Sequence, residues 1–374
     1  MAQDEIPFTR VVRDLPASVP FVGPEAIQRE NRFVFRARIG ANESAFGVSP
    51  KAAEAMRQAV TEISWYGDSE SFELREALAE NHGVAPEEIC VGAGIDELLG
   101  NVVRMTVTPD TPVVTSLGAY PTFNYHVAGF GGVLHRVPYE RDHEDLESLL
   151  AAAEESEAPL VYLSNPDNPM GTWHDAEAVQ RFIDGLPRGR LLVLDEAYID
   201  FAPAGTAPAI DTSDPRVIRM RTFSKAHGMA GARIGYAIAH KELITGLNKI
   251  RNHFGVNRIA QVGALASLQD EAFISDVIEA VEAGKQDYYA LAQRLGLAAL
   301  PSAANFVAID VGGGKRAREI LKALLRHQVF VRMPGVAPLD RCIRVTVGRP
   351  DERETFAEAL EKVLDEVPED NAGG

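Results

Sequence analysis

Lys225 sits in Arg221-Thr222-Phe223-Ser224-Lys225-Ala226-His227-Gly228-Met229-Ala230-Gly231-Ala232-Arg233, just past an apolar-alternating run from Val217 to Thr222. Its amine could form a Schiff base with a carbonyl group. The glycines and alanines leave room for a bound group, Thr222 and Ser224 offer hydroxyls, and Arg233 offers a guanidinium fork for an anion. An isolated Ser-Lys pair also reads as the end of an ordinary strand. Other stretches must decide.

Four of them carry matching chemistry. Gly92-Ala93-Gly94-Ile95-Asp96 follows the apolar run Ile89-Cys90-Val91 and opens a helical pattern, and backbone N–H groups at such a start suit a phosphate. The Asp96 carboxylate would repel that phosphate, so it is expected to act as a cap, turned away. Tyr120 follows the strand ending near Ser116 and serves either as a rim residue or as a flat ring stacked on a heteroaromatic group. Ser164-Asn165-Pro166-Asp167-Asn168-Pro169-Met170-Gly171 is a turn stiffened by two prolines, which makes Asn168 a preorganised donor to a ring oxygen. Asp195 ends the apolar run Leu191 to Leu194, a costly place for a carboxylate unless a partner such as a protonated ring nitrogen faces it. Tyr198 could donate to the same oxygen as Asn168. Together these supply phosphate amides, a stacking ring, an oxygen donor, a carboxylate for a pyridinium and a lysine. Pyridoxal phosphate needs all five.

These residues require a scaffold that brings strand ends together. From Ile89 to Ala239, short Val/Ile/Leu-rich runs alternate with helical patterns, which predicts an α/β fold with a mostly parallel sheet covered on both faces. Ligands in such sheets bind beyond the carboxyl ends of the strands, where the unusual residues fall. Residues 1–40 have little periodicity and read as an extended N-terminal arm. Residues 41–265 read as the large domain and 266–374 as a smaller C-terminal α/β domain with a disordered tail, 368–374.

Composition narrows the function classes. Against 54 Asp+Glu stand 37 Lys+Arg, a net charge of −17, which argues against nucleic acid or anionic membrane as partner. Anionic ligands must be held by local donors. The acidic start, Met1 to Glu5, lacks an apolar signal region, and no run approaches the roughly 20 apolar residues of a membrane span, so a cytoplasmic location is expected. Cys90 and Cys342 lie in apolar runs and read as core residues, and the histidines show no metal-ligand spacing.

With these motifs in order, the chain resembles fold-type I pyridoxal-phosphate aminotransferases, and within them histidinol-phosphate aminotransferases, from about Asn42 to Val367. The resemblance implies that Lys225 binds the cofactor covalently and later shuttles the proton between substrate Cα and cofactor C4′. It implies that Asp195 pairs with the pyridine nitrogen, Asn168 and Tyr198 hold the ring oxygen, and Tyr120 stacks on the ring. The phosphate falls to the Gly94-Ile95-Asp96 amides, Thr222, Ser224 and Arg233. Tyr66 would reach the phosphate of the partner subunit, which implies a homodimer with shared sites. Arg344, Arg332 and Asn42 match the substrate-binding positions. Departures from the family pattern are Phe21 for a tyrosine, Met333 for an aspartate after Arg332, Met170 for a threonine, and Asn42-Glu43-Ser44-Ala45 for Asn-Glu-Asn-Pro.

The activity implied is transfer of an amino group from histidinol phosphate, or an aromatic or other amino acid, to a 2-oxo acid such as 2-oxoglutarate. Two alternatives share the scaffold: a decarboxylase similar to threonine-phosphate decarboxylases, and a pyridoxal-phosphate-binding regulator. The regulator would need a fused DNA-binding module, for which the arm before Asn42 is expected to be too short.

Overall fold

The computed structural model describes residues 6–16 and 22–368. Its strands, in chain order, are β1 (Ala37–Arg38), β2 (Ile89–Gly92), β3 (Pro112–Ser116), β4 (Val133–Val137), β5 (Leu160–Ser164) and β6 (Leu191–Asp195). They continue with β7 (Val217–Thr222), β8 (Gly235–Ala239), β9 (Ala298–Ala299), β10 (Phe306–Asp310), β11 (Val329–Phe330) and β12 (Cys342–Thr346). Strands β2 to β8 form one sheet in the order β2-β8-β7-β6-β5-β3-β4, parallel except where β8 pairs with β2 and β7.

Continuous apolar runs become strands buried on both faces, as β2, β5, β6 and β8 are along their whole length. Alternate residues serve opposite layers. Tyr162, Val193 and Ile218 pack with Leu98, Val102 and Phe123 from helices Ile95–Thr106 and Pro121–Gly129. Val161, Leu163 and Leu194 pack with Leu149, Val179 and Phe182 from helices Leu146–Glu155 and Ala176–Gly185. The helices start where side chains accept their first N–H groups: Ser49 ahead of Pro50, Asp145, Asp175 and Asn257.

A second layer follows helix Glu271–Arg294. Its antiparallel sheet β12-β10-β9 packs Phe306 and Ile343 against Ile320, Leu324, Phe356 and Leu360. The N-terminal stretch differs from the extended arm that was expected. It contains helices Arg10–Asp14 and Pro24–Asn31, the first capped by Thr9 and the second opened by a proline, and it ends in β1. There Ala37 pairs with Val329, and Ala37 and Ile39 are buried in the C-terminal layer. Pro24 opens the second of these helices at its first position. The C-terminal tail lies outside the described residues from position 369.

Strand polarity sets the site. The registers Gly92 with Gly235, Thr222 with Gly235, and Ser164 with Asp195 gather these residues along one rim of the sheet. Leu98 anchors the helix that rises from this rim; it is fully buried and fills the space beside Gly92. Replacing Leu98 by Ala should cost about 2–5 kcal/mol. The expected signature is a lower urea midpoint with an unchanged denaturant slope.

Candidate active site

A cavity of about 840 Å³ opens at the rim, between the sheet and the C-terminal layer. Of the residues singled out from the sequence, all but Gly94 and Tyr66 line it. Strand ends deliver Asp195 and Thr222, the turn after β7 delivers Ser224 and Lys225, and the Asn-Pro turn after β5 delivers Asn168. From the C-terminal layer come Arg332 and Arg344, whose backbones bond to each other, Arg344 N–H to Arg332 O at 2.6 Å.

Lys225 Nζ donates to the Asn42 carbonyl at 2.9 Å and lies 5.4 Å from the centre of the Tyr198 ring. The Tyr198 hydroxyl oxygen accepts from Asn42 Nδ2 at 2.9 Å and from Asn168 Nδ2 at 3.3 Å. With both lone pairs engaged, the phenolic hydrogen is left to be donated. Asn168 is held from its other end by Arg344, whose Nη1 donates to Oδ1 at 2.5 Å. Asn42 is fixed in turn by Thr346, whose Oγ1 donates to Asn42 Oδ1 at 3.1 Å and accepts Asn42 N–H at 3.0 Å.

Asp195 is buried and accepts from Tyr162 Oη at 2.7 Å and from the Ala197 N–H at 3.0 Å. Burial pushes its pKa up from 3.8 to about 6, while the Tyr162 hydrogen bond pulls the other way. No cation among the described residues is bonded to it. Behind the strand end, Glu196 is fully buried between Arg219 and Arg221, each at 2.9 Å.

At the start of helix Ile95–Thr106 the expected arrangement needs correction. Gly94 is the N-cap, with φ of 84°, and no side chain caps this helix end. The Asp96 carboxylate lines the cavity instead of turning away, accepting from Tyr120 Oη at 2.8 Å and lying 3.5 Å from Arg233 Nη2. Glu97 ties the turn, its Oε2 accepting the Ala93 N–H at 2.5 Å. The positive φ at Gly94 favours glycine, and an added Cβ would push the Arg233 guanidinium aside. Thr222 Oγ1 accepts the Ser224 N–H at 3.0 Å and lies 2.9 Å from Ser224 Oγ.

Two arginines complete the cavity. Burial, with the neighbouring Arg344 second, lowers the pKa of Arg332 to about 10, and burial also lowers that of Arg344. Arg344 Nε is buried with no hydrogen-bond acceptor among the described residues. An anionic substrate would supply one. Tyr66 lies elsewhere: it is 78% exposed, its ring 4.7 Å from Phe254. Phe21 lies outside the described residues.

The donor set fits pyridoxal phosphate: a lysine, a buried carboxylate without a bonded cation, a phenol with its hydrogen to spare, and a glycine turn beside Arg233. Residues 38–360 match the family model described as aminotransferase class I and II. The chain belongs to the class I and II aminotransferases, a pyridoxal-phosphate-dependent family, and it is an enzyme with the α/β fold of that family.

Within the family its likeness is to histidinol-phosphate aminotransferases. It is 33% identical over 362 residues to histidinol-phosphate aminotransferase 2 of Carboxydothermus hydrogenoformans, covering 95% of this chain and 99% of that one. The crystal structure of histidinol-phosphate aminotransferase from Sinorhizobium meliloti in complex with pyridoxal-5′-phosphate superposes with a TM-score of 0.94 at 49% identity, covering 97% of this chain and 98% of that one. Aspartate aminotransferase from Thermus thermophilus with maleate shares the fold at a TM-score of 0.81 and 24% identity, covering 97% of this chain and 100% of that one. These likenesses do not favour the decarboxylase alternative. No helix among the described residues is long and apolar enough to cross a membrane.

Sequence reasoning missed the groups under the cavity floor. Tyr162 carried a signal, because a tyrosine inside a buried strand needs a partner for its hydroxyl. Glu144 did not. It is buried, accepting from Ser116 Oγ at 2.5 Å and the Ser164 N–H at 2.9 Å, and burial and then Asp167 push its pKa up. Asp167, also buried, accepts from Tyr139 Oη at 2.8 Å and the Met170 N–H at 2.9 Å, and burial lifts its pKa to about 7.

The Asp195 shift has a sign that can be checked. The unfolded chain releases this proton near 3.8 and the folded, cofactor-free chain near 6. In that window the folded state holds more protons, so the contribution to stability is present at acid pH and is lost as pH rises through about 6. Asp195→Asn should flatten the stability-versus-pH curve of the cofactor-free protein between those values. Urea midpoints across the range measure it, and an unchanged slope would contradict the assignment.

Proposed function

We propose that this aminotransferase takes its amino group from histidinol phosphate or a similar amino donor and gives it to a 2-oxo acid, 2-oxoglutarate being the acceptor to test first. The observation that carries the reading is the placement of Lys225, Asp195 and the Asn168–Tyr198 pair around one cavity. The names of the relatives support the choice of donor.

Pyridoxal phosphate, when bound, supplies an electron sink for bonds broken at the substrate's Cα. In this reading Lys225 would hold it covalently until the donor arrives, and Nζ would then take the proton from that carbon and carry it to the cofactor's C4′. Asp195 holds positive charge at the ring nitrogen. Its raised pKa reflects burial without such a cation, and a cation there would favour the ionised carboxylate. Tyr198 donates its phenolic hydrogen to the ring oxygen, with Asn168 oriented by Arg344. Tyr120 covers the ring. The Gly94-Ile95-Asp96 amides, Thr222, Ser224 and Arg233 bind the phosphate, the guanidinium turning from Asp96 to do so. Arg344 and Arg332 receive the substrate's anionic group, with Asn42 closing the cavity between the two layers.

The active form is a homodimer. Ile63, Trp65, Tyr66, Phe72 and Phe254 are large apolar side chains left exposed in one protomer, and a second copy covering them would bring Tyr66 to its partner's phosphate site. The protein works in the cytoplasm on small molecules. The domain limits at 41–265 and 266–374 are part of this reading, with the segment before 41 contributing β1 to the C-terminal layer.

Lys225→Ala should abolish the visible absorption of covalently held pyridoxal phosphate and reduce amino transfer by several orders of magnitude. Histidinol phosphate, phenylalanine, tyrosine and histidine, each assayed with 2-oxoglutarate, identify the donor. Persistence of the absorption band in the alanine variant would rule out the role given to Lys225.

A further inference from the structure

The turn that carries Asn168 is closed by the residue before it. Asp167 donates its N–H to the Thr172 carbonyl at 2.8 Å, its own carbonyl accepts the Gly171 N–H at 3.1 Å, and its Oδ2 accepts the Met170 N–H at 2.9 Å. Asn168 and Pro169 lie inside the loop that these bonds close. The other carboxylate oxygen accepts from Tyr139 Oη at 2.8 Å. Glu144 braces the strand end from which the turn departs, its Oε1 taking the Ser164 N–H at 2.9 Å and its Oε2 meeting Ser116 Oγ at 2.5 Å. Ser116 ends β3 and Ser164 ends β5, so one carboxyl spans the strands that lead to Tyr120 and Asn168. Both carboxyls are buried, and their bonds come from hydroxyls and backbone N–H groups, none from a cation among the described residues. Neither has a part in the chemistry described above.

We propose that Asp167 is a positioning residue, its ionised carboxylate holding the turn that aims Asn168 at the ring oxygen, and that Glu144 stays protonated beside it. This rests on the ring-oxygen role given to Asn168. Two carboxyls buried near each other are costly to ionise together, and after burial the charge of Asp167 is the largest influence that keeps the Glu144 proton in place. The surroundings decide which group keeps it. The Arg344 guanidinium favours a charge on Asp167, whereas Asp167 and Asp195 both oppose one on Glu144. The bond between Glu144 and Ser116 joins two oxygens and can run in either direction, so a protonated Glu144 donates to Ser116 Oγ and still accepts the Ser164 N–H. The attraction to Arg344 is mutual: Asp167 favours the charged form of that buried guanidinium, whose Nη1 donates to Asn168 Oδ1. Asn168 is thus fixed through its backbone by Asp167 and through its side chain by a cation that the same carboxylate supports. The other titratable groups facing the pair are Tyr139, Tyr162 and His174, the last held toward its neutral form by burial.

The test follows the visible absorption of the bound cofactor in the holoenzyme against pH. With fewer donors at the ring oxygen the proton there is held to higher pH, so the pH at which the band changes reports on Asn168 without turnover. Asn168→Ala should raise that pH by about one unit, a tenfold gain in proton affinity for one lost hydrogen bond to a charged group. Asp167→Asn should raise the same affinity roughly threefold or more, and Tyr139→Phe, which removes one donor to this carboxylate with less risk to folding, should move it the same way. Glu144→Gln, which matches a neutral carboxyl in shape, should leave the band at its wild-type position. An unmoved band in Tyr139→Phe and in folded Asp167→Asn overturns the positioning role, and a moved band in Asn168→Ala then leaves the ring-oxygen reading standing. An unmoved band in Asn168→Ala removes that reading and this proposal with it. A band moved as far by Glu144→Gln as by Asp167→Asn overturns the protonated Glu144. Urea midpoints of the cofactor-free protein check that proton separately. The unfolded chain releases it near 4.5 and the folded chain well above, so its contribution to stability is lost as pH rises, and Glu144→Gln should flatten the curve above 4.5. A curve as steep as that of the wild type contradicts the assignment.

Discussion

A carboxylate buried at the end of a parallel strand is the constraint around which this molecule is organised. Left without a cation, Asp195 is expensive to ionise, and the fold meets the expense only in part, with one phenol and one backbone N–H. The next residue has the opposite treatment. Glu196 is clamped by two guanidiniums among Arg219 and Arg221, which alternate onto the face away from Ile218 and Met220. The strand end is therefore pinned on one side and left electrostatically unfinished on the other. The unfinished side faces the cavity.

Around that point the site is assembled from two layers rather than one. Lys225 bonds to the backbone of Asn42, the side chain of Asn42 bonds to Tyr198, and Thr346 of β12 bonds to Asn42. Asn168 faces Tyr198 with one end of its amide and Arg344 with the other. These contacts between the large sheet and the C-terminal layer thus pass through residues that also face the cavity. Preorganisation of these cavity-lining groups and docking of the two layers share the same hydrogen bonds.

The parts of this arrangement that could be read from the sequence are those whose oddity is local. Asp195 stands out because it ends an apolar run, and Asn168 because prolines flank it. The parallel sheet followed from Val/Ile/Leu runs spaced by helical patterns. The parts that could not be read depend on partners distant in the chain. Glu144 lies in Asp142-His143-Glu144-Asp145, which looks like a solvated acidic run until Ser116 and Ser164 close over it. Asp96 was expected to turn away because its charge opposes phosphate. Its direction was decided by Gly94 taking the cap position and by Tyr120 and Arg233 offering a donor and a cation.

The pairing of β1 with β11 ties the beginning of the chain to its last fifth. Ala37 leaves the ribosome early, yet the strand it must join contains Val329. At ordinary elongation rates, about 5–20 residues per second, the interval between the two is on the order of 15–60 seconds. During synthesis the seven-stranded sheet can form while β1, which belongs to a separate two-stranded sheet, waits unpaired, and the cavity acquires its second wall only near the end of translation. The nascent enzyme consequently has Asp195 and Lys225 at the sheet rim before Arg332 and Arg344 stand opposite them.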